Sequence, residues 1–216
     1  MYALRFGGRE EYRRGVWSRL APEIQRRWMP NAQTILDLGA GYCEFINQAQ
    51  AVERMAMDLN PEVSRRAAAG VRCLVQDCSK PWPLDDDWLD AVFTSNFFEH
   101  LPDKAHLERT LAEAFRCLKP GGRLVALGPN IRFVPGAYWD FFDHHIALTE
   151  RSLAEAFRNR GFLVTEAIPR FLPYTMSEGR QVPLFMVSTY LKLQPAWRWF
   201  GRQFLVVGEK PARRPE

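Results

Sequence analysis

Two carboxylates with a glycine turn between them are the residues of this sequence best suited to hold a ligand. In TILDLGAGYCEF a short apolar run reaches Asp37, and Gly39, Ala40 and Gly41 follow at once. Asp58 closes the next apolar run, in AMDLNP, and Leu59 comes directly after it. Such a turn at the carboxyl end of a strand lets backbone approach a ligand closely. An acid at the end of the second strand can accept from both hydroxyls of a ribose. Phosphate is a poor fit. A Walker A loop needs GxxxxGK[ST], and no such run occurs. A dinucleotide turn wants GxGxxG, but the third glycine position is Glu44, an anion where a helix N-terminus should meet a pyrophosphate. An acid at the first strand suits an ammonium group. The pattern therefore asks for a ligand with a ribose, a cation and no phosphate.

A second set of groups could move protons or bind a metal. His100 lies in SNFFEHL, just past another apolar run. An imidazole with an unperturbed pKa of about 6.5 can serve as a general base at neutral pH, or it can simply hold its loop. Asp140, Asp143, His144 and His145 crowd into DFFDHH. Three readings compete for them: a metal site, an anchor for the loop, or acid/base work on an acceptor by His144 or His145. Adjacent side chains diverge, so His144 and His145 cannot readily share one ion, and no metal site is expected. His106 lies on a polar helix and reads as solvated. Cys43, Cys73, Cys78 and Cys117 form no CxxC pair and no zinc-like Cys/His spacing. They read as reduced thiols, three of them buried.

The elements that must position these groups alternate. Tyr12, Val16, Leu20 and Ile24 recur in four-residue steps and predict a helix over 9–28, ended by Pro30 and Asn31. Strands are expected at 34–38, 54–58, 71–76, 90–95 and 123–128. Helices are expected at 43–52, 60–69 and 104–118, the second opened by Pro61 and the third by Pro102 and Asp103. Lys119 to Gly122 (KPGG) reads as a turn. A long loop, 129–148, precedes a helix capped by Thr149 that runs to Arg160 and ends at Gly161. Strands at 162–168 and 203–210 complete the pattern, and PARRPE reads as a frayed tail. Residues 169–202, rich in proline and aromatics, have no clear element. Strand–helix–strand repetition means right-handed crossovers and a mostly parallel sheet, with the ligand beyond the strands' carboxyl ends.

S-adenosylmethionine has the ribose, an ammonium group and a cationic sulfonium, and it lacks phosphate. At this point the sequence resembles the class I S-adenosylmethionine-dependent methyltransferases. LDLGAGYCEF is similar to their first motif, AMDLNP to the ribose-binding acid with its following apolar residue, and LVQDCS to the end of their third strand. LDAVFTSNFFEHL is similar to their fourth strand and the loop beneath the methyl group, and LKPGGRLVALGPN to the turn and fifth strand. The resemblance covers 34–168 in order, and 203–210. It implies a three-layer αβα Rossmann-like α/β fold whose seven-stranded sheet has the order 3-2-1-4-5-7-6 and an antiparallel last strand. It implies S-adenosylmethionine held by Asp37, Gly39, Ala40, Gly41, Asp58, Leu59, Asp77, Cys78, Asn96 and Phe97. Asp58 would take the ribose, Leu59 the adenine face, Asp77 the adenine amine and the Cys78 backbone the ring. Asn96 and Phe97 would border the methyl, with His100, His144 and His145 as candidate catalytic groups. Cys43 departs from the family pattern, since many members carry a third glycine there. The words DFFDHH and RFLPYT are also similar to a bacterial subgroup often associated with surface-polysaccharide or glycolipid loci.

Composition bounds the rest. With 216 residues, 47% hydrophobic and 25% charged, the chain suits one globular domain over its whole length. A net charge of +4 is compatible with anionic partners without demanding them. No N-terminal apolar segment and no run near the roughly 18 residues of a membrane span is present, so a cytoplasmic enzyme is expected. Residues 169–202 form an insertion where this fold has a short connection. Within 182–204, Trp197, Trp199 and Phe200 stand beside Lys192, Arg198 and Arg202. They either cover the cleft or rest on anionic lipid at the inner membrane face. The expected acceptor is an oxygen on a small molecule or a glycan or glycolipid, and nucleic acid is not expected. Two alternatives stay open. One is an NAD-dependent oxidoreductase, against which Glu44 and the lack of a Tyr-x-x-x-Lys stand. The other is a non-catalytic cofactor-binding subunit. Oligomeric state is left open.

Overall fold

The computed structural model describes residues 10–174 and 181–212. The expected start of the first helix at Arg9, the middle of the 169–202 insertion and the last four residues of the tail lie outside them. Helix α1 (Glu10–Trp28) leads into β1 (Thr34–Leu38), β2 (Glu53–Asp58), the single turn α2 (Val63–Arg66), β3 (Val71–Val75) and β4 (Leu89–Ser95). A 3-10 turn (Phe98–His100), α3 (Lys104–Cys117), β5 (Leu118–Pro129), α4 (Glu150–Asn159) and β6 (Leu163–Leu172) follow. Helices α5 (Leu184–Lys192) and α6 (Gln194–Phe200) and strand β7 (Gln203–Glu209) close the order. The seven strands form one sheet in the order β3-β2-β1-β4-β5-β7-β6, as expected. β1 to β5 are mutually parallel, and β7 runs antiparallel to both β5 and β6.

Strand side chains alternate between two apolar layers, which is why the central strands read as unbroken hydrophobic runs. Leu36, Leu38, Met57, Val92 and Leu124 face one core, shared with Leu107 and Leu111 of α3 and Leu153 and Phe157 of α4. Ile35, Ala56, Phe93, Val125 and Leu205 face the other, shared with Trp17, Leu20, Ile24 and Trp28 of α1, Leu191 of α5 and Trp197 of α6. The α1 stripe differs from the four-residue steps of the sequence reading. At 3.6 residues per turn such steps drift around the helix. Burial accordingly follows Trp17, Leu20, Ala21, Ile24 and Trp28, while Tyr12 and Val16 turn toward a groove.

Three expected elements come out differently. Residues 43–52 are a string of turns rather than a helix. The expected helix 60–69 shrinks to α2 because Asn47 accepts from the Ala68 backbone at 2.8 Å and donates to the Arg66 carbonyl at 2.9 Å, capturing the chain just past one turn. The insertion holds two helices, and β6 reaches Leu172, past the expected 168. Pro169 sits in a register break between Ile168 and Leu172, where a missing N–H costs the ladder nothing. The expected Thr149 cap is present, with Thr149 and Ser152 bonded reciprocally. Asp103 caps α3 and also accepts from the His106 ring at 2.7 Å.

The end of β5 is pinned by a buried polar knot. Asn130, 0% exposed, donates to Glu150 at the start of α4 at 2.6 Å and to the Pro169 carbonyl of β6 at 3.0 Å. Arg132 donates to the other Glu150 oxygen at 2.6 Å. Asn130→Ala removes a donor from a buried carboxylate, so urea unfolding should show a loss of about 1–3 kcal/mol. A change of only a few tenths would show that the knot does not hold the long loop's base.

Candidate functional site

The turn after β1 is shaped by backbone that most residues avoid. Gly39 has φ +69°, and a Cβ there would lie 2.2 Å from Cγ of Phe97. Gly41 has φ +49° with no atom within 4 Å of the Cβ it lacks, so this backbone faces open space. Cys43, where a glycine is usual, is itself left-handed at φ +58° and fully buried. The expected helix at 43–52 fails here for a local reason. The Ile46 N–H is drawn to the Asp37 carboxyl, and the remaining bonds mix three- and four-residue spans, such as Gln48 to Phe45 and Asn47 to Cys43.

The turn gathers the carboxyl groups of Asp37, Glu44 and Asp58. Asp37 is 4% exposed; burial, reinforced by Asp58 and Glu44, pushes its carboxyl up to about 8 against the pull of the Ile46 N–H. Glu44, also raised by burial, pairs with Arg13 of α1 at 2.6 Å. Asp58 accepts from Gly41 N–H on one oxygen and from Asn60 N–H on the other, each at 2.8 Å. A carboxylate has about four lone-pair sites, so capacity remains on both oxygens. A pyrophosphate would be repelled here, whereas an ammonium or sulfonium would be drawn in. Beyond the turn, Leu59 is 72% exposed. Asp77 spends Oδ1 on the Ser79 N–H and hydroxyl, both at 2.8 Å, and these bonds hold its carboxyl below the usual range. The Cys78 carbonyl accepts from the Trp82 indole at 2.8 Å, and its buried thiol lies 3.3 Å from the Thr110 hydroxyl.

The structure brings part of the expected set together in one cleft of about 110 Å³. Asp37, Gly39, Ala40, Gly41 and Asn96 line it, with His100 and His144 opposite. Asp58 joins through its bond to Gly41. Leu59, Asp77, Cys78 and Phe97 are not among the lining residues. Phe97 lies over Gly39 instead, Leu59 is exposed, and Asp77 is half-buried. His145 is exposed and away from the cleft. Its contribution is backbone, since its N–H donates to the Glu99 carbonyl at 2.8 Å.

Several lining residues were not visible as functional in the sequence. Glu99, 2% exposed, faces the cleft with its carboxyl raised to about 8 by burial and, less, by Asp143. Arg13 and Trp17 come from α1, and Tyr174 from the end of the β6 segment. An Arg and a Trp four apart on an otherwise ordinary helix gave no signal, and Glu99 gave only its place beside His100. A second, larger cavity of about 630 Å³ opens from the first and shares Arg13, Trp17, Ser95, Asn96 and Tyr174 with it. Its walls are chiefly apolar: Val16 and Leu20 of α1, Leu172, Met186, Val187 and Tyr190, with Trp199 and Phe200.

A cleft at the carboxyl ends of β1 and β4, in a sheet of this order, defines the class: an α/β protein of the methyltransferase fold. Known proteins agree. Residues 36–126 match the family model described as a methyltransferase domain. A curated malonyl-[acyl-carrier protein] O-methyltransferase of Methylococcus capsulatus is 28% identical over 175 residues. That stretch is 74% of this chain and 62% of the relative, so this chain spans less than two thirds of the relative's length. A Haloferax volcanii methyltransferase, solved in complex with the Trm112 methyltransferase activator, matches at TM-score 0.67 and 23% identity over 100% of this chain and 96% of its own. A Thermotoga maritima protein described as a possible histamine N-methyltransferase matches at TM-score 0.70 and 18% identity, over 97% and 94%. At such identities the structures speak to fold. Residues 36–126 are thus similar to a methyltransferase domain, and the fold around them is that of S-adenosylmethionine-dependent methyltransferases.

The buried acids make stability depend on pH. Asp37 keeps its proton to about 8 when folded, against an ordinary value of 3.8, and Glu99 behaves alike from 4.5. Between those values the folded chain holds protons that the unfolded chain has released. Stability without ligand therefore falls as pH rises from about 4 to about 8. The Asp37→Asn, Glu99→Gln double variant should flatten the decline in urea midpoint over that window. An unaltered slope would assign it to other groups.

Proposed function

We propose that this chain transfers the methyl group of S-adenosylmethionine to an oxygen on an acceptor with an apolar body. The observation that carries this reading is that donor and acceptor groups share one cleft. The Asp37–Gly39–Gly41 turn forms one wall, Glu99, His100 and His144 form the other, and the apolar groove opens between them. Asp58 takes the ribose hydroxyls with its remaining lone pairs. Leu59, an exposed leucine, covers the adenine face, and Asp77 offers Oδ2 to the adenine amine. Asp37 and its neighbours favour the cationic methionine end. Asn96, at φ +49°, and Phe97 shape the wall near the methyl.

Methyl transfer asks mainly for alignment. The acceptor oxygen's electron pair forms the new bond to carbon, and the carbon–sulfur pair stays on sulfur, leaving a neutral thioether. A hydroxyl acceptor must also lose its proton. His100 donates Nδ1–H to the Asp143 carbonyl at 2.9 Å, because a carbonyl can only accept. In the neutral ring Nε2 then carries the lone pair. His100 and His144, ring centroids 4.9 Å apart, are the groups placed for that proton, and exposed His145 is not.

Oxygen as the attacked atom is supported by the M. capsulatus relative, which is named for O-methylation. The apolar groove favours a glycolipid or another amphiphile over a bare glycan. Exposed Phe185, Trp199 and Phe200 beside Lys192 and Arg198 offer a path from an anionic membrane surface. A non-catalytic subunit would not need a groove joined to a histidine-lined cleft.

Calorimetry should show S-adenosylhomocysteine binding and no comparable NADH binding, and the reverse would end this reading. Asp58→Ala should weaken that binding by about 1.5–3 kcal/mol, the scale of a hydrogen bond to a charged group. His144→Ala should cut turnover roughly a hundredfold or more while S-adenosylhomocysteine affinity stays within about twofold. In cell extract, labelled methyl should enter the organic-soluble fraction. Met186→Arg, which places a charge in the groove, should lower that labelling about tenfold without weakening cofactor binding. Label confined to the aqueous fraction would overturn the apolar acceptor.

A further inference from the structure

The acceptor wall holds a group that general-base chemistry alone does not account for. Glu99, His100 and His144 come from two segments far apart in sequence, yet one potential ligand atom from each lies within 4.8 Å of the others. All three face the cleft that also contains Asp37 and Gly41. From this geometry we propose that Glu99, His100 and His144 form a binding site for one divalent transition-metal ion. The inference rests on the methyltransferase reading only for what the ion does, not for its binding.

Four features support it. Ligand atoms about 2.0–2.2 Å from one ion lie roughly 3–4 Å apart, so small side-chain rotations complete the site. The two segments are clamped together: the Glu99 carbonyl accepts from His145 N–H at 2.8 Å and from Ile146 N–H at 3.2 Å. The ligands are thus held in register before any ion arrives. His100 donates its Nδ1–H to a backbone carbonyl, the outer bond that metal-binding imidazoles usually make, which presents Nε2 as the ligand atom. Finally, Glu99 is 2% exposed, and a dication beside a buried carboxylate offsets the cost of its charge.

The donor set chooses among cations. Two imidazole nitrogens and one carboxylate suit zinc, cobalt, iron(II) or manganese better than magnesium or calcium, which prefer all-oxygen shells. Three protein ligands leave coordination positions open toward the cleft. An acceptor hydroxyl bound there loses its proton more readily, as metal-bound water does. The resulting oxygen attacks the methyl carbon as above, the proton passes to solvent, and no redox change occurs. Hence the two histidines would orient the acceptor through the ion instead of acting as free bases. This also revises the expectation that no metal site is present. The sequence reading paired His144 with its neighbours Asp143 and His145, whereas the structure pairs it with Glu99 and His100.

The test is a titration of the full, tag-free chain, stripped with chelator, with Co²⁺ followed by visible absorption and with Zn²⁺ and Mg²⁺ by calorimetry. S-adenosylhomocysteine binding is measured in parallel on every variant. Wild type should take one Co²⁺ or Zn²⁺ per chain, with weaker Mg²⁺ binding. His144→Ala and Glu99→Gln should each weaken Co²⁺ at least about tenfold while still binding S-adenosylhomocysteine, which shows them folded. Should one variant fail to fold, the other and His100→Gln give the same comparison. Equal Co²⁺ affinity in wild type and variants, or none in wild type, overturns the site. Loss of S-adenosylhomocysteine binding in wild type as well would sink the methyltransferase reading, while the Co²⁺ comparison still decides the metal site.

Discussion

The buried carboxyl of Asp37 is the constraint around which the ligand turn is built. It sits on β1, flanked by β2 and β4, with 4% of its surface exposed. An acid in that place is costly, and the chain answers by bending toward it. The Ile46 N–H lowers the cost of the charge, and the segment after the turn stays irregular. Gly39 and Gly41 then absorb left-handed angles that let the loop fold back over the strand ends. The same burial that destabilises the ionised form creates a strong preference for a cation nearby.

A second interaction joins the cleft's two walls. The Glu99 carbonyl takes two backbone donors from the segment that carries His144. The Tyr138 hydroxyl donates to the Ile146 carbonyl, and Phe141 stacks on the His144 ring at 5.0 Å. The loop 130–148 has no regular element, yet Val134, Tyr138, His144, Ile146 and Leu148 are buried along it. A loop held this way can position catalytic groups with the precision usually supplied by strands.

Most of the fold was legible in the sequence because it rests on periodicity and punctuation. The strands, the Thr149 cap and the Asp103 start of α3 follow from local signals, whereas the strand order came from the resemblance to the methyltransferases. The failures are also physical. The expected helix at 43–52 gives way to turns beginning at Gly41, with Cys43 itself at φ +58°, a backbone state that side-chain periodicity does not report. The 60–69 helix is cut short by Asn47, a residue outside it. The glycine-turn wall of the cleft, Asp37 to Gly41, was readable because it lies at a strand end with its own sequence pattern. Glu99 with His144, and Arg13 with Trp17, were not, since their proximity exists only after the loop and α1 have packed.

That contrast follows from what each half must recognise. On the proposed function, the donor is one molecule that backbone groups at a turn, with a few acids, suffice to hold. The groove proposed for the acceptor is assembled from side chains on α1, the β6 end and the insertion, while the histidine wall comes from the long loop and the β4 end. Val16, Met186 and Tyr190 can change the groove's shape while the β1 turn stays intact, because neither core cluster depends on all of them. Glu99 and His144 are less free, because each is buried and the Glu99 carbonyl accepts from the segment that carries His144. Acceptor choice can therefore drift with the groove, whereas the chemistry applied to it is held by the clamp between the two walls.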